Sequence, residues 1–235
     1  MSSSSPEWFL TTHWSVVLNA RAADPNTAHD ALESLCGAYW YPLYAFVRRL
    51  GHSPHDAEDL IQGFFAQCIE KDYLRAADQE KGRFRSFLLI ALKRFLANEW
   101  DRARTRKRGG DRQIISLDAE ERYAAEPAES LSPDKLFERR WALTLLENVL
   151  EKLKGEQADA GRLAIFTELQ PVLTTRGTPY AELAQRLGLS ESAVKVAVHR
   201  LRQRYRELLE KEIANTVSSP SDIEEERRYL LRVLT

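Results

Sequence analysis

Apolar residues in this chain recur at intervals of three and four and seldom alternate one for one with polar residues. That spacing marks helices with one buried face, and it is sustained over most of the 235 residues. Strand signals are poor: neither Asn-Gly nor Asp-Gly, the dipeptides of tight hairpins, occurs anywhere. Alanine, leucine, glutamate and arginine fill most positions, so the expected fold class is all-α.

Glycine and proline then act as punctuation. Gly51 closes a periodic run from about Ala28 to Leu50 as a helix C-cap. Ser53-Pro54 supplies an N-cap followed by proline at the first helical position, and Asp56 complements the helix dipole. This second helix is expected to reach about Tyr73. A polar loop around Arg75 to Arg83 precedes a third helix from about Ser86 to Lys107, ended by Gly109-Gly110. Residues 111–130 lack sustained periodicity and read as a linker. Ser132-Pro133 restarts a helix running to Leu153, and Leu131 with Leu136 has the spacing of a hydrophobic staple. Another helix covers Gly161 to Leu173, and Thr178-Pro179 opens the next in the same capped way. The expected organisation is two helical domains, 24–108 and 133–212, joined by an acidic linker, 109–132. An N-terminal extension, 1–23, and a tail, 213–235, lie outside them. The tail, with Glu224-Glu225-Glu226 and Tyr229-Leu230-Leu231, is expected to cap the second domain, with regulation of it as the alternative.

Charge is segregated. The 34 Lys and Arg against 35 Asp and Glu give a formal net charge of −1, which argues against a chain that coats nucleic acid along its whole length. Residues 83–108, however, sum to +7, residues 109–138 to −5 and residues 195–211 to +4. Two basic helical segments can neutralise phosphates and release counterions, while the acidic connector between them would be repelled by the same duplex.

Other chemistries find no support. Cys36 and Cys68 stand far apart and form no CxxC pair, so neither a zinc site nor a disulfide framework is expected and a reducing cytoplasm fits. The longest purely apolar stretch, Phe87 to Leu92, is too short to span a bilayer, and the start of the chain lacks the features of a secretory signal. Without a nucleophile–base pair, a phosphate-binding glycine loop or a metal-ligand cluster, no catalytic residue, metal site or cofactor is expected, and the chain does not read as an enzyme.

The sharpest local signal lies between Tyr180 and Leu201. Leu183, Leu187 and Leu189 can pack against Val194, Val198 and Leu201, Gly188 supplies a permissive turn, and Ser190 is placed to cap the following helix. This is a helix-turn-helix pattern, with Val194, Val198, Leu201, Tyr205 and Leu208 as the buried stripe of its second helix. Ser192, Lys195, Val196, His199, Arg202 and Gln203 form the opposite face, which would enter a major groove with Lys195 and Arg200 reaching bases or phosphates and Val196 able to meet a thymine methyl. In the first domain Trp40, Tyr41, Tyr44, Phe46, Phe64, Phe65, Phe84, Phe87, Phe95 and Trp100 crowd the three helices, and most of them are expected in the core. Phe84 differs, because it sits in the basic run Gly82-Arg83-Phe84-Arg85, where aromatic and guanidinium groups can hold single-stranded DNA. The acidic second helix would be repelled by DNA, so a protein partner suits it.

These pieces together resemble a bacterial sigma factor of the extracytoplasmic-function (ECF) type, over roughly residues 28–108 and 135–211. Asp56-Ala57-Glu58-Asp59-Leu60-Ile61-Gln62 is similar to the family's helix that docks on RNA polymerase. The resemblance implies a core-polymerase surface of Asp56, Glu58, Asp59, Leu60, Gln62 and Phe65. Gly82 to Leu88 and the following basic helix resemble the minus-ten reader, implying promoter contacts by Arg83, Phe84, Arg85, Arg94, Asn98 and Arg102. The helix-turn-helix resembles the minus-thirty-five reader and implies contacts by Ser192, Lys195, Val196, His199, Arg200 and Gln203. Core RNA polymerase and promoter DNA are the implied partners, with an anti-sigma factor or a kinase as a further regulator, and no membrane. Gly63 departs from the pattern, since an acid usually follows the glutamine, and Val196 and Ala197 replace residues often polar in the reader. A stand-alone helix-turn-helix regulator of transcription is the alternative reading, one that would bind duplex DNA without polymerase.

Overall fold

The computed structural model describes residues 17, 25–70, 74, 77, 83–105, 117–126, 131–174, 179–217 and 219–234. The elements are helical, in the order α1 (Pro25–Arg49), α2 (Pro54–Glu70), α3 (Phe84–Thr105), α4 (Leu117–Ala124), α5 (Pro133–Asp159), α6 (Leu163–Thr174), α7 (Tyr180–Leu187) and α8 (Glu191–Thr216). A 3₁₀ turn, Pro220–Asp222, then leads into α9 (Ile223–Leu234). No strand occurs among the described residues, as the spacing of apolar positions requires. The chain forms two compact units. One comprises Met1–Thr144 with Ala214–Thr235, and the other comprises Leu145–Ile213.

In the first unit, α1 is the central element. Tyr41, Leu43, Tyr44, Ala45, Phe46 and Val47 are all buried, so this part of the helix is enclosed on every side rather than on one face. Pro42 lies within it. Helix α2 contributes Ile61, Phe64 and Cys68, and α3 contributes Phe84, Leu88, Leu92 and Phe95. Phe64 meets Phe95 edge-on with ring centroids 5.7 Å apart, and Tyr39 meets Phe84 at 5.6 Å.

The linker departs from the sequence expectation. Residues 111–130 hold α4, whose two turns are too short and too acidic to register as periodicity. Its hold on the unit is mainly aromatic and electrostatic. Tyr123 stands edge-on to Tyr44 at 6.4 Å, Arg48 lies over the Tyr123 ring at 4.7 Å, and Arg122 lies over Tyr41 at 4.0 Å. Just beyond the helix, buried Glu126 accepts the Tyr41 hydroxyl at 2.9 Å and pairs with Arg140. The tail also departs from expectation. It belongs to the first unit, not the second, because α9 turns Glu226 and Leu230 inward against residues of that unit.

The second unit is built on the i, i+4 row Leu145, Val149 and Leu153 of α5, with Phe166, Leu169 and Val172 of α6. Leu183 and Ala184 of α7 join Val194, Val198, Leu201 and Leu208 of α8 in the same core. Arg204 grips Glu156 through Nε at 2.8 Å and Nη2 at 2.6 Å, and Arg202 donates to the Val172 carbonyl at 2.9 Å.

Candidate functional site

Ser53 sets where α2 begins. Its hydroxyl oxygen accepts the Asp56 amide at 3.1 Å, and the hydroxyl donates to the Asp56 carboxylate at 2.7 Å. The local ring thus fixes an acid in the first turn. From that start, Asp56, Asp59 and Gln62 follow at three-residue spacing and are all exposed. Leu60 and Phe65 border them half-buried. Glu58 does not join this face, because it points to the core side of α2 and is 4% exposed. Ile69 extends the stripe from Gln62 by two turns and is 55% exposed, an apolar end to an acidic face. Its i+7 relation to Gln62 was the available signal for it. Gly63 lies on the same helix, facing Phe95 of α3. A β-carbon there would stand 3.4 Å from Phe95 Cζ, an ordinary contact, so the packing of α2 on α3 does not itself demand glycine.

Helix α3 presents a second face. Arg94, Asn98 and Arg102 are exposed on it, together with Ile90 and Lys93. Arg102 pairs with Glu99 at 2.5 Å, and Lys93 pairs with Asp134. Trp100 lies among these residues and is 70% exposed, an exception among aromatics that are mostly core. An indole that open on a helix carrying arginines is a ready stacking platform.

The other three residues assigned to this face behave differently. Phe84 is buried in the core of the first unit. Arg85 is 2% exposed and Glu226 is 0% exposed, and the two carboxylate oxygens of Glu226 meet the two terminal nitrogens of Arg85, one of them at 3.2 Å. Arg85 Nε donates to Glu138 at 2.9 Å. Its guanidinium lies 4.0 Å from the Trp141 ring centroid and 4.8 Å from that of Tyr229. Burial works against the charge of Arg85, but hydrogen bonding and attraction from Glu226, then Glu138, outweigh it and raise its pKa. Burial and Glu138 push the Tyr229 hydroxyl up to about 12. Arg83, 28% exposed at its side chain, bonds Glu226 through Nε at 2.6 Å and reaches Glu225 at 3.4 Å. Sequence spacing had no means of pairing residues 141 positions apart.

A third face belongs to the second unit. Helix α7 ends at Gly188 in a left-handed conformation, φ 64 and ψ 30, and the Leu189 amide bonds back to the Ala184 carbonyl at 3.0 Å. Ser190 then caps α8 by accepting the Ala193 amide at 3.2 Å. The start of α7 differs from expectation. Pro179 has extended backbone, φ −62 and ψ 130, and so serves as the cap residue with no side-chain cap bond, while Thr178 lies outside the described residues. Ser192, Lys195, Val196, His199, Arg200 and Gln203 all face solvent, with Lys195 paired to Glu191 at 2.7 Å and Gln203 bonded to Glu207 at 3.3 Å. Leu189, expected to pack, is 40% exposed, and Arg202, expected on the groove-facing side, is half-buried and donates to the Val172 carbonyl at 2.9 Å.

Comparison with known proteins adds a family. The model of the family described as "ECF sigma factor" matches residues 33–211. The "ECF RNA polymerase sigma factor SigE" of Mycolicibacterium smegmatis is 27% identical over 179 residues, covering 75% of this chain and 61% of the relative. The chain therefore spans about three fifths of the length of that curated relative. No solved structure matches.

Proposed function

Because this chain belongs to the ECF sigma factor family, we propose that it is a promoter-specificity subunit that binds core RNA polymerase in the cytoplasm and directs transcription initiation. It carries no chemistry of its own; recognition is its whole task. The observation that carries this reading is the pairing, within one helical unit, of an acidic face on α2 with a basic, tryptophan-bearing face on α3. One repels DNA and suits a basic protein surface, and the other suits phosphate and unpaired bases.

On this reading Asp56, Asp59 and Gln62 contact polymerase, with Leu60, Phe65 and Ile69 supplying apolar area. Glu58, turned inward, supports that face from beneath. Arg94, Asn98, Arg102 and Trp100 face the minus-ten element, and Arg83 and Arg85 hold its backbone. Phe84 positions the two arginines through its place in the core. In the second unit, Lys195, Val196, His199 and Arg200 reach base edges of the minus-thirty-five element, while Ser192 and Gln203 meet its flanks. An anti-sigma factor or a kinase fits as a regulator of either face.

In vitro transcription with core polymerase on promoters selected from genomic fragments tests the proposal. Promoter-dependent initiation is expected, and Asp59→Lys should abolish polymerase binding while leaving duplex affinity of the isolated chain unchanged. Tight, sequence-specific duplex binding without polymerase, together with no initiation, would sink the proposal in favour of a stand-alone regulator.

A further inference from the structure

The tail presents its acids in an ordered way. Glu224 is occupied within α9, pairing with Arg228 at 3.0 Å and with Arg227 at 2.5 Å. Glu225 and Glu226 instead reach Arg83 and Arg85. Only Glu226 and Leu230 of this helix are buried, and Leu231 is exposed. This twelve-residue helix is docked by buried Leu230, by half-buried Ile223, Tyr229, Val233 and Leu234, and by the carboxylates of Glu225 and Glu226, so the ion pairs share with an apolar edge in holding its place.

Arg85 has two separate ends. Its Nε edge is held by Glu138, and one face of its guanidinium plane is covered by Trp141, both outside the tail. Its terminal nitrogens are the end that Glu226 takes. If α9 withdrew, Glu138 and Trp141 would still orient the guanidinium and its fork would be presented outward. The fork binds carboxylate and phosphate oxygens with the same two-point geometry.

We propose that Arg83 and Arg85 form a phosphodiester-binding pair which α9 occupies in the DNA-free chain, the Glu225 and Glu226 carboxylates standing where backbone phosphates of the melted promoter strand bind. The assignment of that strand as ligand rests on the initiation reading above. The tail is thus an internal competitor: it screens the pair until DNA replaces its carboxylates, and because only open chains bind, the apparent affinity for DNA is the intrinsic one scaled down by the open fraction.

The test compares the full chain with a full-length Glu225→Gln/Glu226→Gln variant, using a fluorescein-labelled 15-nucleotide single strand of mixed sequence. The variant should bind at least about tenfold more tightly, as expected when a closed state no longer dominates. Equal or weaker binding by a variant with wild-type helical content would overturn the proposal. Should that variant not fold, hydrogen exchange on the wild-type chain decides. Saturation with the same oligonucleotide should speed exchange of amides 223–234, and unchanged protection there would refute displacement. Neither readout uses polymerase. Failure of both chains to direct initiation would therefore count against the initiation reading, while the oligonucleotide data still decide whether phosphate replaces carboxylate.

Discussion

At Arg85 a single buried guanidinium ties the tail helix to the core of the first unit, and its energetics follow from that position. Two carboxylates converge on it, one of them fully buried, and two aromatic rings cover it. Removing one partner of a buried pair leaves an uncompensated charge, so Arg85→Met should cost about 3–5 kcal/mol in urea denaturation of the full chain. Arg85→Lys should recover little, because an ammonium can neither fork to both oxygens of Glu226 nor stack on Trp141. A loss under about 1 kcal/mol for either variant would show that the network is not holding the unit together. The cysteines give a second residue-scale prediction. Both line one apolar cavity with Phe65, Leu74 and Phe84. Burial, then Glu33, pushes the Cys36 thiol from its ordinary 9.0 up to about 11, and burial, then Cys36, pushes Cys68 up to about 12. Their folded pKa values are raised, so the stability they contribute is fully present below the unfolded value near 9.0 and is lost as pH rises through about 11 and then about 12. At pH 8 both thiols should resist iodoacetamide until the chain is denatured, and rapid native-state labelling would contradict this burial.

Elements differ in how much of themselves the sequence reveals, and the reason is the range of the forces that shape them. Helices α2, α5 and α8 begin at Ser-Pro or Ser-Glu signals whose capping bonds are local, and all three caps are made. Long helices also show their buried face through periodicity. Helix α4 does not, because an eight-residue element held by Arg–aromatic contacts and one buried glutamate has its partners some 75 to 85 residues away. The same limit hid the closure of Arg83 and Arg85 by α9. Nor was Trp100 separable from the core aromatics, because hydrophobicity alone cannot tell a core indole from one left open on a charged helix. The turn at Gly188 was legible, since its constraint is the backbone of a single residue. A β-carbon there would meet nothing within 4 Å, so only the left-handed φ of 64 penalises substitution. Gly188→Ala should therefore lower the stability of the second unit by about 1–2 kcal/mol, with Gly188→Asn closer to wild type. Thermal denaturation of the two variants checks this, and an alanine variant as stable as the parent would mean that the turn relaxes out of the left-handed region.

For the whole molecule the question is how many of its cations are available to DNA. The local sums of +7 and +4 overstate that number. Arg83, Arg85, Lys93 and Arg102 of the first unit each pair with a carboxylate of the same chain, as do Lys195 and Arg204 of the second. Phosphates must compete with those internal anions, so binding releases fewer counterions than a count of Lys and Arg suggests. The acids that do the pairing also bring the net charge to −1 and remove long-range attraction. The isolated chain should accordingly bind random duplex DNA no tighter than the non-specific range of about 10⁻⁴–10⁻⁶ M near physiological salt. Its log–log salt slope should be shallower than about −3, equivalent to roughly three phosphates neutralised. Fluorescence anisotropy titrations between about 50 and 200 mM salt give both quantities. A slope of about −6 or steeper would mean that most of the basic residues exchange their carboxylates for phosphates without help, and the chain would then need no polymerase to hold DNA. A shallow slope places the affinity in the complex: the subunit would supply recognition, and its partner would supply the charge.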